Sequence, residues 1–168
     1  MYLNFLSLGI VFYYSLKINK LNSSLLSMGI MMTFSFLMTR YTEPLYQAAV
    51  QYQHTYLHEF RFLWFVGFAF WDAVIITLVL YTHHHFNLKR SFCSNVIIVA
   101  YAIKFHLHWS LYIEKEFFDS KYLEPFYRIG IPMINAVLAS SLFGFLLLVW
   151  VAMWLEMHTK FKGVSWRI

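Results

Sequence analysis

The sequence predicts an all-α fold. We expect a polytopic bundle of about five membrane-spanning helices, one integral membrane domain over residues 1–168, with an amphipathic helix on its outer side. Three observations carry this expectation. Hydrophobic residues make up 60% of the chain and charged residues only 12%. That is about half the roughly 25% charge of soluble domains, and a soluble chain this small could not hide so much apolar surface. The apolar residues gather into runs near the ~20 needed to cross a hydrocarbon core about 30 Å thick. Aromatic residues reach 21% and collect near the ends of those runs, where their amphipathic rings favour the membrane interface. The same composition excludes a disordered chain, and a single cysteine excludes a disulfide framework or a thiolate metal cluster.

The first expected span, residues 3–16, is short and either crosses the membrane or lies in its interface. No basic residue precedes it, whereas Lys17 and Lys20 follow. That order suits a retained anchor rather than a cleaved signal peptide. The second span covers residues 25–39, with Ser23 and Ser24 as its start signal. An outer connector, 40–59, follows. Its Thr42-Glu43-Pro44 reads as a fresh helix start, and Leu45, Ala48, Ala49, Tyr52 and Tyr56 then recur at helical spacing. The third span covers residues 60–81, the fourth 92–113 and the fifth 131–157, the last long enough to tilt or project. These runs are too long and too evenly apolar for barrel strands, which alternate over about ten residues.

Charge suggests a direction. With the N-terminus outside, Lys17, Lys20, Lys89, Arg90, Lys160, Lys162 and Arg167 face the cytoplasm. Arg40, Arg61, Lys115, Lys121 and Arg128 face outward, beside Glu43, Glu59, Glu114, Glu116, Asp119 and Glu124. The basic excess inside has the expected sign and points to an N-out, C-in arrangement in a plasma or inner membrane. The isoelectric point near 9.3 then reflects topology and anionic headgroups. The chain has no basic strip interleaved with aromatics outside the spans, so a nucleic-acid partner is not expected. Tyr41–Gln47 and Tyr122–Arg128 agree at four of seven positions. We read this as two helix starts using Glu-Pro alike, rather than a duplicated rim.

Ionisable groups inside the spans are the informative residues, because each costs about 2.5–3.5 kcal/mol near the bilayer centre and needs a partner. Asp72 lies mid-way along the third span and Lys104 mid-way along the fourth, at similar depth, so an ion pair is expected. Val96, Ala100, Lys104, His108 and Tyr112 share one face of the fourth span, with His106 opposite. Asn135 on the fifth span comes at about the depth of His108. Asp72, Lys104, His108 and Asn135 thus form an expected polar track, suited to a proton, an ion or a small polar solute. The structural alternative is an ion pair with interhelical hydrogen bonds, each contributing about 0.6–2 kcal/mol.

Other groups carry weaker signals. His54 and His58 are spaced i, i+4, with Glu116 or Asp119 as third metal ligands on that reading, though a solvated helix face is the preferred account of them. His83, His84 and His85 read as headgroup contacts. Beyond such a metal, or a haem held by His58 with His106 or His108, no cofactor is expected. Cys93 has no histidine at a useful spacing for nucleophilic catalysis. Ala69, Ala73 and Thr77, and likewise Ala136, Ser140 and Gly144, form small-residue stripes for close helix packing.

The function expected first is therefore conduction or translocation by a homo-oligomer, its pathway lying between subunits. The alternative is a non-catalytic membrane subunit that docks a larger complex. A metal or haem enzyme comes third.

Overall fold

The computed structural model describes residues 22–52 and 55–161. Every regular element among them is helical. Helix α1 runs Ser23–Tyr52, α2 Leu57–His85, α3 Phe92–Phe118 and α4 Glu124–Phe161. A π-helical turn interrupts α2 at Phe62–Val66, and another closes α3 at Glu114–Phe118.

Three helices among the described residues are long and apolar enough to cross a membrane: α2, α3, and α4 as far as Val151. Of the five expected spans, 60–81, 92–113 and 131–157 fall on these. The segment 3–16 lies outside the described residues. Segment 25–39 lies within α1, which is long enough but is diluted by Ser23, Ser24, Ser27, Thr33, Ser35, Thr39 and Arg40. Even so, α1 runs beside α2 in the opposite direction. Ser23 meets His83 at one end, and Tyr41 reaches the Leu63 carbonyl at the other, both at 2.7 Å. Between those contacts α1 climbs about 27 Å at 1.5 Å per residue.

The outer connector differs from expectation. Thr42-Glu43-Pro44 starts no helix; α1 continues through Pro44 to Tyr52. Proline withholds one intrahelical hydrogen bond and crowds the preceding turn. Here Leu45, 9% exposed, still packs inward just beyond it, and Thr42 Oγ1 donates back to the Met38 carbonyl at 2.6 Å instead of capping. Glu124-Pro125, by contrast, does open α4. The two similar heptapeptides therefore occupy different structural positions, which removes the idea of a duplicated rim.

Helical periodicity explains the core. On α2, Ala69, Asp72, Ile75, Val79 and His83 are buried in one i+3/i+4 stripe. On α3 the matching stripe is Ser94, Ile97, Ala100, Tyr101, Lys104, His108 and Leu111. Met28, Met31 and Met38 from α1 and Leu138 and Leu142 from α4 close the bundle. Helix α2 ends at Asn87, whose φ is 50°, a left-handed value that asparagine tolerates. Ser91 then caps α3, its hydroxyl accepting from Ser94 N–H. At the other end Asp119 has φ 43°. There Glu114 holds the turn, accepting from Ser120 Oγ at 2.5 Å and from Leu123 N–H at 3.0 Å.

The small-residue stripes behave unequally. Ala69 is buried, Ala73 half-buried and Thr77 exposed. Ala136, Ser140 and Gly144 all lie on the exposed side of α4, and a Cβ built at Gly144 meets nothing within 4 Å. That second stripe packs no helix within the described residues, because α4 turns Leu138 and Leu142 inward instead.

Candidate functional site

Asp72 is fully buried between α2 and α3. Its Oδ2 accepts a hydrogen bond from His108 Nδ1–H at 2.9 Å. Its Oδ1 lies 3.5 Å from Lys104 Nζ and makes no hydrogen bond. One carboxylate thus serves two partners unequally, one at hydrogen-bond length and one at the loose edge of an ion pair. The i, i+4 spacing of Lys104 and His108 sets both on the same face of α3. Lys104 Nζ also sits 4.7 Å from the centre of the Tyr101 ring, a favourable cation–π position. Phe68 stacks on the His108 imidazole with an interplanar angle of 17°, and Tyr127 meets the same imidazole edge-on at 5.4 Å.

The cluster opens to one side. Lys104 lines a cleft of about 500 Å³ between α1, α3 and α4, together with Tyr101, Ser35, Asn135, Met31 and Leu142. Asn135 differs from its expected place. It is exposed and lines this cleft, but it bonds to none of Asp72, Lys104 and His108. Three of the four expected track residues therefore meet, and the fourth stands apart on α4.

No family model, curated protein or solved structure matches the chain. The site has to be read from its own chemistry. It sets a buried carboxylate between an ammonium and an imidazole, each within reach of one of its oxygens.

A second polar cluster, at the opposite end of the bundle, is absent from the sequence expectations. His83 is buried and does not face outward as a headgroup contact. Its Nδ1 lies 2.6 Å from the Val79 carbonyl, so Nδ1 carries the proton and Nε2 accepts from Ser23 Oγ at 2.7 Å. Around them Ser94 Oγ meets Ser23 Oγ at 2.9 Å and Ser91 Oγ at 2.8 Å. It also accepts from Ser27 Oγ at 2.8 Å. Ser24 Oγ donates to Ser91 Oγ at 2.7 Å. The signal was present in the sequence: His83 continues the Ile75–Val79 stripe at four-residue spacing, and serines recur at Ser23/Ser27 and Ser91/Ser94. Met28, Ile75, Val79 and Ile97, all buried apolar residues, lie between this network and Asp72.

The candidate metal pair is not assembled among the described residues. His54 lies outside them. His58 is exposed, with Nδ1 2.8 Å from Glu116 Oε1. No group of three or more potential metal ligands occurs among the described residues. Lys115 pairs with Glu124 at 2.8 Å and Arg61 donates to the Lys115 carbonyl at 3.1 Å, so this end carries a polar rim.

Proposed function

We propose that this chain is a multi-pass membrane protein that relays a proton, or passes a small polar solute, at the Asp72–Lys104–His108 cluster. One observation carries the reading. A fully buried carboxylate has a hydrogen-bonded imidazole on one oxygen, and its other oxygen, without a hydrogen bond, is turned to an ammonium that borders an open cleft. Three apolar helices support the membrane setting.

The topology proposed is N-out and C-in, in a plasma or inner membrane, with α1 and residues 3–16 completing about five traversals. Lys89 and Arg90 in the α2–α3 connection mark the cytoplasmic side under the positive-inside rule. The apolar layer of Met28, Ile75, Val79 and Ile97 limits any path within one chain. Translocation therefore assigns a role to neighbouring copies, and the unpacked Ala136–Ser140–Gly144 face of α4 suits their close approach.

The test is proton flux into liposomes carrying the purified chain and an internal pH dye. Asp72→Asn and Lys104→Met should each lower the flux towards that of empty liposomes. Flux unchanged in both variants would remove the proposed roles. A second reading, a subunit docking a larger complex, is favoured by exposed Phe117, Phe118 and Tyr122 at the α3–α4 turn. A stable heteromer recovered from native membranes, with no flux by the chain alone, would support it.

A further inference from the structure

The cleft beside Lys104 is polar toward one end and apolar toward the other. Thr39 and Thr42 of α1 line it near the Arg40 end, while Met31 on α1 and Leu142 on α4 line it farther down. Thr39 and Thr42 donate their hydroxyl protons to the Ser35 and Met38 carbonyls at 2.9 and 2.6 Å. The donors in the cleft are Lys104 Nζ, on a side chain only 8% exposed, the Asn135 amide, which makes no hydrogen bond among the described residues, and the Ser35 and Tyr101 hydroxyls, which pair with each other at 3.4 Å. Lys104 has three N–H donors, and its carboxylate partner stands at 3.5 Å. An under-used buried ammonium at the side of a methionine- and leucine-lined cleft is complementary to an anionic head on an apolar tail. The volume, about 500 Å³, is in the usual range for one small ligand.

We propose that this cleft binds a single-chain amphiphile with a carboxylate head, a long-chain carboxylate. Its head engages Lys104 and Asn135, its tail lies along Met31, Leu138 and Leu142, and its binding is coupled to proton uptake at the Asp72–His108 pair. The coupling rests on the relay reading above. When the ligand's carboxylate takes the Lys104 charge, Asp72 keeps its own charge with less compensation and a second anion nearby. A proton drawn from water then restores the balance. The groups facing Asp72 are Lys104, His108 and Tyr101 from α3 and Tyr127 from α4. On α1, Tyr41 is committed to the Leu63 carbonyl.

The experiment is calorimetric titration of dodecanoate, and separately dodecanol, into the chain held in phosphatidylcholine nanodiscs. Each titration is run in two buffers of different ionisation heat, which counts protons. Dodecanoate should bind about 10- to 100-fold tighter than dodecanol, the worth of one charge-assisted hydrogen bond. About one proton should be taken up per carboxylate bound. Lys104→Met should abolish the preference for dodecanoate. Should that variant misfold, Asn135→Leu must weaken dodecanoate alone. Asp72→Asn should keep dodecanoate binding and lose the proton uptake. Equal affinity for the acid and the alcohol overturns the proposal, as does dodecanoate displaced by phosphatidylglycerol nanodiscs, which would make a phospholipid the occupant. Flux in liposomes without dodecanoate separates the two readings. Asp72-dependent flux with no carboxylate preference removes the ligand and leaves the relay. Carboxylate preference without Asp72-dependent flux removes the relay and its coupling.

Discussion

Removing the Asp72 charge should destabilise the bundle more than removing the whole ion pair. At 3.5 Å and an effective dielectric constant near 20, two unit charges attract by about 5 kcal/mol before desolvation is counted. Breaking a buried pair by neutralising one partner costs about 3–5 kcal/mol, because the survivor stays charged and unpaired. Asp72→Asn strands Lys104, whose only described anion is Asp72, and the smaller loss therefore belongs to Lys104→Met, which leaves Asp72 with His108 at 2.9 Å. Asp72→Asn/Lys104→Met removes both charges and leaves the amide beside His108, so it should recover most of the Asp72→Asn loss. The assay is reversible unfolding of the four proteins in mixed micelles, followed by circular dichroism, and it yields a coupling free energy directly. A double variant no more stable than Asp72→Asn, with zero coupling, would refute the argument that these groups compensate each other.

Three further outcomes follow from contacts elsewhere. Ser94→Ala removes the hydroxyl that joins Ser23, Ser27 and Ser91. It should cost about 1–3 kcal/mol by leaving buried partners unsatisfied, measured in the same unfolding assay, whereas Ser140→Ala on the exposed face should stay within about 0.5 kcal/mol. Gly67→Ala sets a Cβ 2.5 Å from Tyr41 Oη and 3.2 Å from Cζ. The ring must retreat from its 2.7 Å bond to the Leu63 carbonyl, a loss of about 1 kcal/mol or more, and the penalty should shrink in a Tyr41→Phe background. A Cβ at Gly144 meets nothing within 4 Å, and Gly144→Leu should not lower the unfolding midpoint of a single chain. Conversion of a larger species to a smaller one in light scattering would identify the α4 stripe as the contact between copies.

The all-helical class, the apolar helices over residues 60–81 and 92–113 and the Asp72–Lys104–His108 contact were readable from the sequence, because each rests on a one-dimensional rule. Long apolar runs need lipid, and a charge inside such a run needs a partner at its own depth. The rest depended on which face each helix turns inward, and composition does not specify that. Asn135 has the right depth and shares the Leu138–Leu142 face of α4, but the cleft stands between it and Lys104, so it lines that space without bonding to the cluster. Ala136, Ser140 and Gly144 have ideal spacing but face away, since α4 packs through Leu138 and Leu142. Pro44 looked like a start because proline is common there, yet the inward packing of Leu45 sustains the helix beyond it. His83 was hidden by its neighbours: three successive histidines suggest a surface run, although only one of three consecutive helical positions needs to face a core.

The two buried polar clusters constrain mechanism through what separates them. His83 with its serines lies at one end of the bundle, and Asp72 with Lys104 and His108 lies farther along the same two helices. Asp72 and His83 are about 16 Å apart along the α2 axis at 1.5 Å per residue, far beyond a single hydrogen bond. The intervening Ile75, Val79, Ile97 and Met28 are each at most 1% exposed, so these four side chains set an apolar barrier between the two clusters. On the relay proposed above, a proton reaches Asp72 from the cleft or from the polar rim above His108. The same layer keeps the site away from the Ser23–His83 network unless α1, held in place there mainly by hydroxyl contacts and methionines, moves. Replacing Ile75 or Val79 by polar Thr should then raise flux only if the path runs through this chain. Unchanged flux would place the path at the boundary between copies, where the small-residue face of α4 is exposed.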